Sequence, residues 1–206
     1  MADEPHESKT RILNAALRVV RAKGYSATRI EDICTAAGLT KGSFFHHFKG
    51  KEELAIAAAQ HWGAVTAGTF AAAPYHRHSE PLDRLLAYID FRKALISDNP
   101  SQFSCFAGTT VQEVFETHPV IRDACSATIT GHAATLEADI AAAMRQHGVN
   151  SKWTAKNLAL HTQAVIQGAF ILAKATQDPK VAVASLDHLR RYLELLFHPQ
   201  PEEAEP

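Results

Sequence analysis

Residues 28–48 contain the side chains of this sequence that are best suited to bind another molecule. Their pattern predicts two short helices joined by a tight turn, because the small residues Ala37 and Gly38 separate two apolar clusters. At the start of the second helix, Lys41 and the small Gly42 accompany unpaired backbone amides at the positive end of the helix dipole. Such a helix end allows close approach to a phosphate or to a base edge in a DNA groove. The segment therefore predicts a helix-turn-helix whose second helix reads DNA.

The distribution of charge favours a nucleic-acid partner for the same part of the chain. The net charge of the whole sequence is only −1. Residues 9–51, however, carry nine lysine and arginine side chains against two carboxylates, and the remainder is acidic. This asymmetry indicates a small nucleic-acid-binding head on a larger acidic body. The alternative interpretation is that the basic run forms an ordinary solvated face.

Composition is typical of a globular protein with one or two domains, since the 206 residues are 46% hydrophobic and 21% charged. No apolar run is long enough to predict a membrane-spanning helix. The acidic amino terminus lacks the apolar core of a secretory signal, so we expect a cytoplasmic protein. The irregular spacing of Cys34, Cys105 and Cys125 excludes a complete disulfide framework and predicts reduced thiols.

Apolar residues recur with helical rather than strand spacing, which predicts an all-α fold of about nine helices. Thr28 and Glu31 have the spacing of a capping box at the start of the second helix, and Thr40 is the expected cap of the third. The tail 199–206, rich in proline and glutamate, is predicted to be disordered. The expected helices span approximately 9–23, 28–37, 40–47, 50–73, 82–97, 101–116, 119–146, 151 or 154 to 176, and a last segment after Pro179.

Two of the later helices carry apolar stripes at coiled-coil spacing. One stripe consists of Leu158, Thr162, Val165, Ala169 and Leu172, and the other of Leu186, Leu189, Leu193 and Leu196. Such stripes pack one helix against another. Spacing alone does not distinguish the core of a single chain from a seam between two chains.

Several short motifs in the first third of the chain occur together at consistent spacing. They read RILNAA at 11–16, GYSAT at 24–28, AAGLTKGS at 36–43 and KEEL at 51–54, accompanied by Ile33 and Phe48. In this combination they resemble the DNA-binding domain of the TetR family of bacterial transcriptional regulators. The resemblance implies a helix-turn-helix domain over residues 8–68 and an α-helical ligand-binding and dimerisation domain over residues 69–198.

The resemblance also implies which residues contact DNA. Thr28 would cap the second helix and touch a phosphate, and Lys51 would meet the DNA backbone where the fourth helix begins. The remaining contacts would come from Arg29 and from a recognition surface of Thr40, Lys41, Gly42, Ser43, Phe45, His46 and His47.

Two positions depart from the family pattern. Phe45 stands where tyrosine is usual, so one phosphate hydrogen bond of about 1 kcal/mol is lost. Cys34 replaces alanine and is interpreted as a small buried hydrophobe. His46 and His47 point about 100° apart on a helix, so they cannot chelate one metal ion together. Either both histidines face DNA as donors, or one of them has a static structural role.

In the larger domain, the resemblance implies that the two apolar stripes form the interface of a homodimer. It also implies a pocket for a small, mostly apolar inducer, whereas no cofactor is expected. Aromatic residues at helical spacing are more often part of an ordinary core. The candidate pocket residues are Trp62, Phe70, Phe91, Phe103, Cys105, Phe106, His132, His161 and Gln167.

Cys105 also admits other interpretations. At the start of a predicted helix it is either a thiolate that senses electrophiles or oxidants, or an inert buried thiol. A competing function class is an enzyme that uses Cys105, a histidine and Glu113. The sequence contains no GxSxG, P-loop, HExxH or dinucleotide motif that would support it. The two histidines at 76 and 78 are interpreted as part of a solvated loop rather than as metal ligands.

These features together predict a homodimeric transcriptional repressor that binds double-stranded DNA. Its two recognition helices would read adjacent major grooves of a pseudo-palindromic operator about one helical turn apart. A small inducer that changes their separation would release the DNA. The alternative is a TetR-like protein that binds DNA constitutively, or activates transcription, without an inducer.

Overall fold

The computed structural model describes residues 5–197, which form eleven α-helices and one short 3-10 turn at Pro74–Arg77. The all-α prediction is confirmed. The helices are α1 (Pro5–Lys23), α2 (Ile30–Ala37), α3 (Lys41–His47), α4 (Lys51–Ala71), α5 (Pro81–Ala94), α6 (Pro100–Phe103), α7 (Phe106–Val114), α8 (Pro119–Ala134), α9 (Glu137–Gln146), α10 (Ala155–Thr176) and α11 (Pro179–Phe197).

Two predicted helices are each divided in the structure. The segment expected to be one helix over 101–116 forms α6 and α7, because Cys105 is extended and its Sγ accepts a hydrogen bond from Gly108 N at 3.3 Å. The helix expected over 119–146 forms α8 and α9, with a turn at 135–136. At this turn Leu136 is buried, and its N–H donates to Ala133 O. No glycine or proline marks the turn in the sequence.

The predicted capping box at Thr28 and Glu31 is wrong, because α2 begins later. Arg29 is the extended N-cap residue, and the Asp32 carboxylate accepts a hydrogen bond from its N–H at 2.9 Å. The Thr28 hydroxyl instead donates to Gly24 O at 2.6 Å. The predicted cap at Thr40 is confirmed, since its hydroxyl accepts from the backbone N–H three residues later. Of the two starts left open for the helix at 151 or 154, the structure has the second, with Thr154 as the cap in the same arrangement.

Two compact units contain the described residues. The first consists of the chain up to Phe70 together with Ser101–His132, and the second of Ala71–Pro100 together with the chain from Ala133 onward. The segment 101–132 therefore packs with the amino-terminal helices, although the sequence division at residue 68 assigned it to the larger domain. Ile12, Phe44 and Phe106 are among the fully buried residues of the first unit.

The apolar stripes of α10 and α11 lie mainly inside the chain's own core. At most 4% of each of six stripe residues is exposed: Leu158, Thr162, Ala169, Leu186, Leu189 and Leu193. Val165 and Leu196 are half-buried, and Leu172 is exposed. The prediction of a seam between two chains is therefore wrong for the six buried stripe residues, which are already covered within one chain. Leu172 of the first stripe is exposed, together with four other large apolar residues of the same helices: Leu160, Ile171, Tyr192 and Leu195.

Two further expectations concern the membrane and the tail. Within residues 5–197, every helix is too short or too polar to cross a membrane. The predicted disordered tail, 199–206, lies outside the described residues. All three cysteines are free, with Cys34 and Cys125 buried and Cys105 half-buried.

Candidate DNA-binding surface

The turn between α2 and α3 is fixed by glycine and by two arginines of α1. Gly38 has φ +65°, a left-handed conformation that glycine adopts without strain. Arg11 donates to Ala37 O at 2.8 Å, and Arg18 donates to Ala36 O at 3.0 Å. Both guanidinium groups thus satisfy carbonyls at the negative end of α2. These contacts could not be predicted from the order of residues, because they join residues 26 and 18 positions apart.

Helix α3 is anchored by aromatic residues on its inner face. Phe44 and Phe48 are buried, with ring centroids 5.7 Å apart. Phe45 lies on the outer face and is 54% exposed. The inner rings therefore fix which side of α3 is presented to solvent.

The outer side of α3 collects most of the predicted contact residues. We call it the α3 face, and it consists of Thr40, Lys41, Gly42, Ser43, Phe45 and His46. All are exposed except Ser43, which is half-buried. The predicted contact residue Arg29 is exposed as well, at the start of α2. Lys41 forms an ion pair with Glu31, and this contact is the main cause that holds the pKa of Glu31 below its usual value. Because both partners are more than half exposed, the pair is weak and Lys41 remains available to another anion.

The two neighbouring histidines have different environments. His46 is exposed, whereas His47 is half-buried and its Nε2 lies 2.7 Å from Ser8 Oγ on α1. Burial, with smaller contributions from His46 and Lys9, lowers the pKa of His47. Of the two alternatives for this pair, the structure favours a static role for His47, which ties α3 to α1.

Thr28 and Lys51 depart from their predicted roles. Thr28 is only 1% exposed and its hydroxyl is bonded to Gly24 O, so it does not present a phosphate-binding group. The Lys51 Nζ donates to Tyr25 O and Thr28 O, each at 3.0 Å, and to Ser26 O at 3.4 Å. It also lies 4.3 Å from the centroid of the Tyr25 ring. Both residues hold the loop between α1 and α2.

Glu113, the acid of the alternative enzyme hypothesis, binds the same loop. Its two carboxylate oxygens accept hydrogen bonds from Tyr25 N and Ser26 N, each at 2.8 Å. Cys105 caps α7 through its Sγ. Neither arrangement resembles a nucleophile beside its base.

Six of the candidate pocket residues lie in the first unit. Phe106 is buried in its hydrophobic core, and Trp62 and Cys105 pack against the same cluster. Phe106 also lines a small cavity with residues of α1, α2 and α4. The Arg21 guanidinium covers the Trp62 ring at 5.1 Å. Phe70 and His132 form an edge-to-face pair at 4.5 Å. Phe103 and Cys105 are half-buried near the start of α7.

The second unit contains the other three candidates. Phe91 and Gln167 are half-buried, and the Phe91 ring lies 5.9 Å from that of Tyr75. His161 is exposed and contacts Tyr192 on the outer side of α11, at 5.3 Å between ring centroids. His161 is therefore wrong as a pocket residue, because it lies on the outer surface of the helix pair.

Sequence reasoning missed a buried polar group between α5 and α10. Gln163 Nε2 donates to the Tyr88 hydroxyl at 3.0 Å, and both residues are buried. The ring of Tyr75 packs edge-on against that of Tyr88, with 5.6 Å between ring centroids. Burial is the main cause that raises the pKa of Tyr75 to about 12. The Arg92 guanidinium lies 5.5 Å from the Phe170 ring. This group combines aromatic surface with several hydrogen-bonding side chains.

A metal site has no support in the part of the chain that the structure describes, where no three potential ligands come together. His76 belongs to the 3-10 turn and packs against the Tyr75 ring at 4.2 Å.

Two family models match this sequence. Residues 12–58 match the model of bacterial regulatory proteins of the TetR family. Residues 81–189, more than half of the chain, match the tetracycline repressor-like C-terminal domain. The first match ends at residue 58 and the second begins at residue 81. The segment 101–132 therefore belongs to the second match, although it packs within the first unit.

Individual relatives agree with these matches. The uncharacterised HTH-type transcriptional regulator YerO of Bacillus subtilis is 39% identical over 57 residues, which cover 28% of this chain and 20% of that protein. The uncharacterised regulator YxaF of the same species is 25% identical over 173 residues, covering 84% and 87%. A TetR-family regulator from Agrobacterium tumefaciens has a similar structure, with a TM-score of 0.80 at 22% identity over 92% of this chain and 98% of that one.

Proposed function

Because the chain belongs to the TetR family of bacterial DNA-binding transcription regulators, we propose that it is a cytoplasmic homodimeric repressor released from its operator by a small molecule. Residues 8–68 would bind DNA. The observation that carries this proposal is the α3 face, where exposed polar, basic and small residues surround the amino terminus of a helix whose opposite side is anchored in the core.

The proposed DNA contacts are those of the α3 face together with Arg29. Lys41 would exchange its ion pair with Glu31 for a phosphate, a charge-assisted contact that positions the helix. Ser43 and His46 would offer hydrogen-bonding groups to base edges, and Phe45 an apolar surface. Thr28, His47 and Lys51 would not contact DNA but would hold α2 and α3 in position.

Replacing Lys41 by alanine tests the phosphate contact. We expect operator affinity to fall and the slope of log affinity against log salt to decrease by about 0.9, the value for one released counterion. The measurement is fluorescence anisotropy with a duplex that the wild-type protein selects from a random library, over a range of salt concentrations. Lys180→Ala, an exposed lysine on α11, is the matched control and should leave the slope unchanged. An unchanged slope for Lys41→Ala would remove this contact from the proposal.

Replacing Gly42 by alanine tests how closely the backbone approaches DNA. An added Cβ would meet its nearest neighbour, Thr40 Oγ1, at 3.6 Å, so the fold has room for it. We therefore expect unchanged stability, or a gain of up to about 1 kcal/mol from helix propensity. Operator affinity should nevertheless fall by roughly tenfold, because the methyl group blocks the approach to phosphate.

Gly131→Ala on α8 is the control for this substitution, since a Cβ there meets nothing within 4 Å. It should keep wild-type affinity. Equal affinity of Gly42→Ala and wild type would show that DNA does not come close to this part of α3.

We propose that a second copy of the chain covers the exposed outer side of α10 and α11. Five large apolar side chains there are between 41% and 51% exposed: Leu160, Ile171, Leu172, Tyr192 and Leu195. Large exposed apolar side chains of this kind are typical of an interface. A twofold dimer would have two α3 faces, one for each half of a pseudo-palindromic operator.

For the inducer, we propose recognition in the second unit by α5 and α10. Tyr88, Gln163 and Arg92 supply polar groups beside the Phe170 ring, which suits a small, largely apolar molecule with one polar group. Native mass spectrometry of the purified protein would detect a retained ligand and the dimer mass together. A metabolite panel that leaves operator affinity unchanged would favour the alternative, a regulator that binds DNA without an inducer.

A further inference from the structure

The loop between α1 and α2 is held between two oppositely charged side chains from other helices. Its amides at Tyr25 and Ser26 donate to the two oxygens of Glu113 on α7, each at 2.8 Å. Its carbonyls at Tyr25 and Thr28 accept from Lys51 on α4, each at 3.0 Å. The position of this loop therefore depends on where α7 and α4 lie.

The fit between the loop and Glu113 is close. Gly24 has φ +87°, and a Cβ at this position would collide with Glu113 Oε1. Glycine meets both requirements here without strain, the left-handed conformation and the close approach of a carboxylate. The carboxylate is thus seated against the loop rather than merely near it.

The loop leads directly into the helix-turn-helix. The Thr28 hydroxyl bonds back to Gly24 O, and the next residue, Arg29, is the N-cap of α2. Helix α2 in turn packs against α3. A displacement of the loop would therefore move the start of α2 and, through it, the α3 face.

Glu113 stays ionised at neutral pH. Burial alone would raise the pKa of its carboxyl group, but the amides of Ser26 and Tyr25, with Lys51, lower it below its usual value. A carboxyl group with a lowered pKa keeps its charge until the solution is acidic. Near neutral pH, movement of α7 rather than protonation would release the loop.

Helix α7 links two parts of the sequence. It belongs to residues 81–189, which match the C-terminal family model, whereas the loop belongs to residues 12–58. Yet Phe106 and Val114 of α7 are buried in the core of the first unit. We propose that Glu113 is the positioning residue through which α7 fixes the α1–α2 loop and, with it, the start of α2 and the α3 face. This inference rests on the proposed function.

Glu113→Gln and Glu113→Ala in the full chain test this role. Glutamine keeps one oxygen acceptor and the side-chain length, whereas alanine keeps neither. We expect operator affinity to fall by about tenfold for alanine and by less for glutamine. Hydrogen exchange of residues 24–28 should quicken in the same order, while exchange in the buried parts of α10 and α11 stays unchanged. Glu116→Gln, an exposed acid on the turn after α7, should behave as wild type.

The outcomes separate this inference from the proposed function. If the wild type selects no duplex from the random library, the proposed function fails. If the wild type binds its duplex and Glu113→Ala binds equally well with unchanged exchange at 24–28, the positioning role fails. The positioning role is also contradicted if Glu113→Ala lowers the thermal midpoint and hydrogen exchange rises uniformly over the first unit. Glu113 would then stabilise the whole unit rather than position this loop. Should Glu113→Ala not fold, Glu113→Gln carries the comparison with Glu116→Gln.

Discussion

The double substitution Leu172→Glu and Leu195→Glu is expected to convert the protein to a monomer that no longer holds its operator. Within one chain these side chains are 51% and 49% exposed, so the charges remain hydrated and the fold is retained. In the proposed dimer the carboxylates would be buried among apolar residues without partners, which costs several kcal/mol for each charge. With two substitutions on each copy, four carboxylates would be buried, and their combined cost exceeds the free energy of association expected of such an interface.

Light scattering coupled to size exclusion measures the first effect, and anisotropy with the selected duplex measures the second. A monomer keeps only half of the operator contacts, so affinity should fall by at least about 100-fold, while binding to a half-site duplex persists. Val120→Glu is the matched control, since it places the same charge on an apolar residue that is 58% exposed in the first unit. A dimeric double variant would show that the second copy binds elsewhere.

The interior of the helix-turn-helix could be predicted because its determinants are local. The Thr40 cap lies three residues from the amide that it accepts, and Gly38 directly follows the helix that it ends. Such features are visible in the order of residues alone. The same locality explains why the all-α class followed from helical spacing of apolar residues.

The surface of the proposed dimer could not be predicted in the same way. On α11, Leu189 and Leu193 are buried, whereas Tyr192 and Leu195 are exposed, although all four positions are apolar. Coiled-coil spacing identifies an apolar stripe but not what covers it. In this chain the regular stripe packs inside one molecule, and the less regular residues beside it are left exposed.

The roles of His47 and Lys51 were missed because their partners are distant in sequence. His47 lies against Ser8, and Lys51 binds carbonyls 23 to 26 positions away. The loop that Lys51 holds is bonded from its other side by Glu113, which lies 88 positions beyond Tyr25. From the sequence alone, a lysine near a predicted DNA-binding helix is interpreted as a phosphate contact. Only the structure shows that backbone carbonyls already bind its ammonium group.

Lys51→Met tests the structural role of this lysine. Methionine retains most of the aliphatic stem but donates no hydrogen bonds, so the carbonyls of Tyr25, Ser26 and Thr28 lose a charged donor. A hydrogen bond to a charged group contributes about 1.5–3 kcal/mol, and part of this is recovered because water reaches the half-buried site. We expect the free energy of unfolding to fall by about 2 kcal/mol in urea denaturation.

The same variant separates a structural lysine from a phosphate-binding one. The salt slope of operator binding should match the wild type, in contrast to Lys41→Ala, because Lys51 is already engaged with backbone carbonyls when DNA is absent. Lys49→Met, at an exposed lysine two positions earlier, should change stability by less than about 0.5 kcal/mol. If Lys51→Met reduced the salt slope without loss of stability, the ammonium group would have to leave the loop and bind phosphate in the complex. The contribution of Lys51 to DNA binding would then be direct rather than through the position of α2.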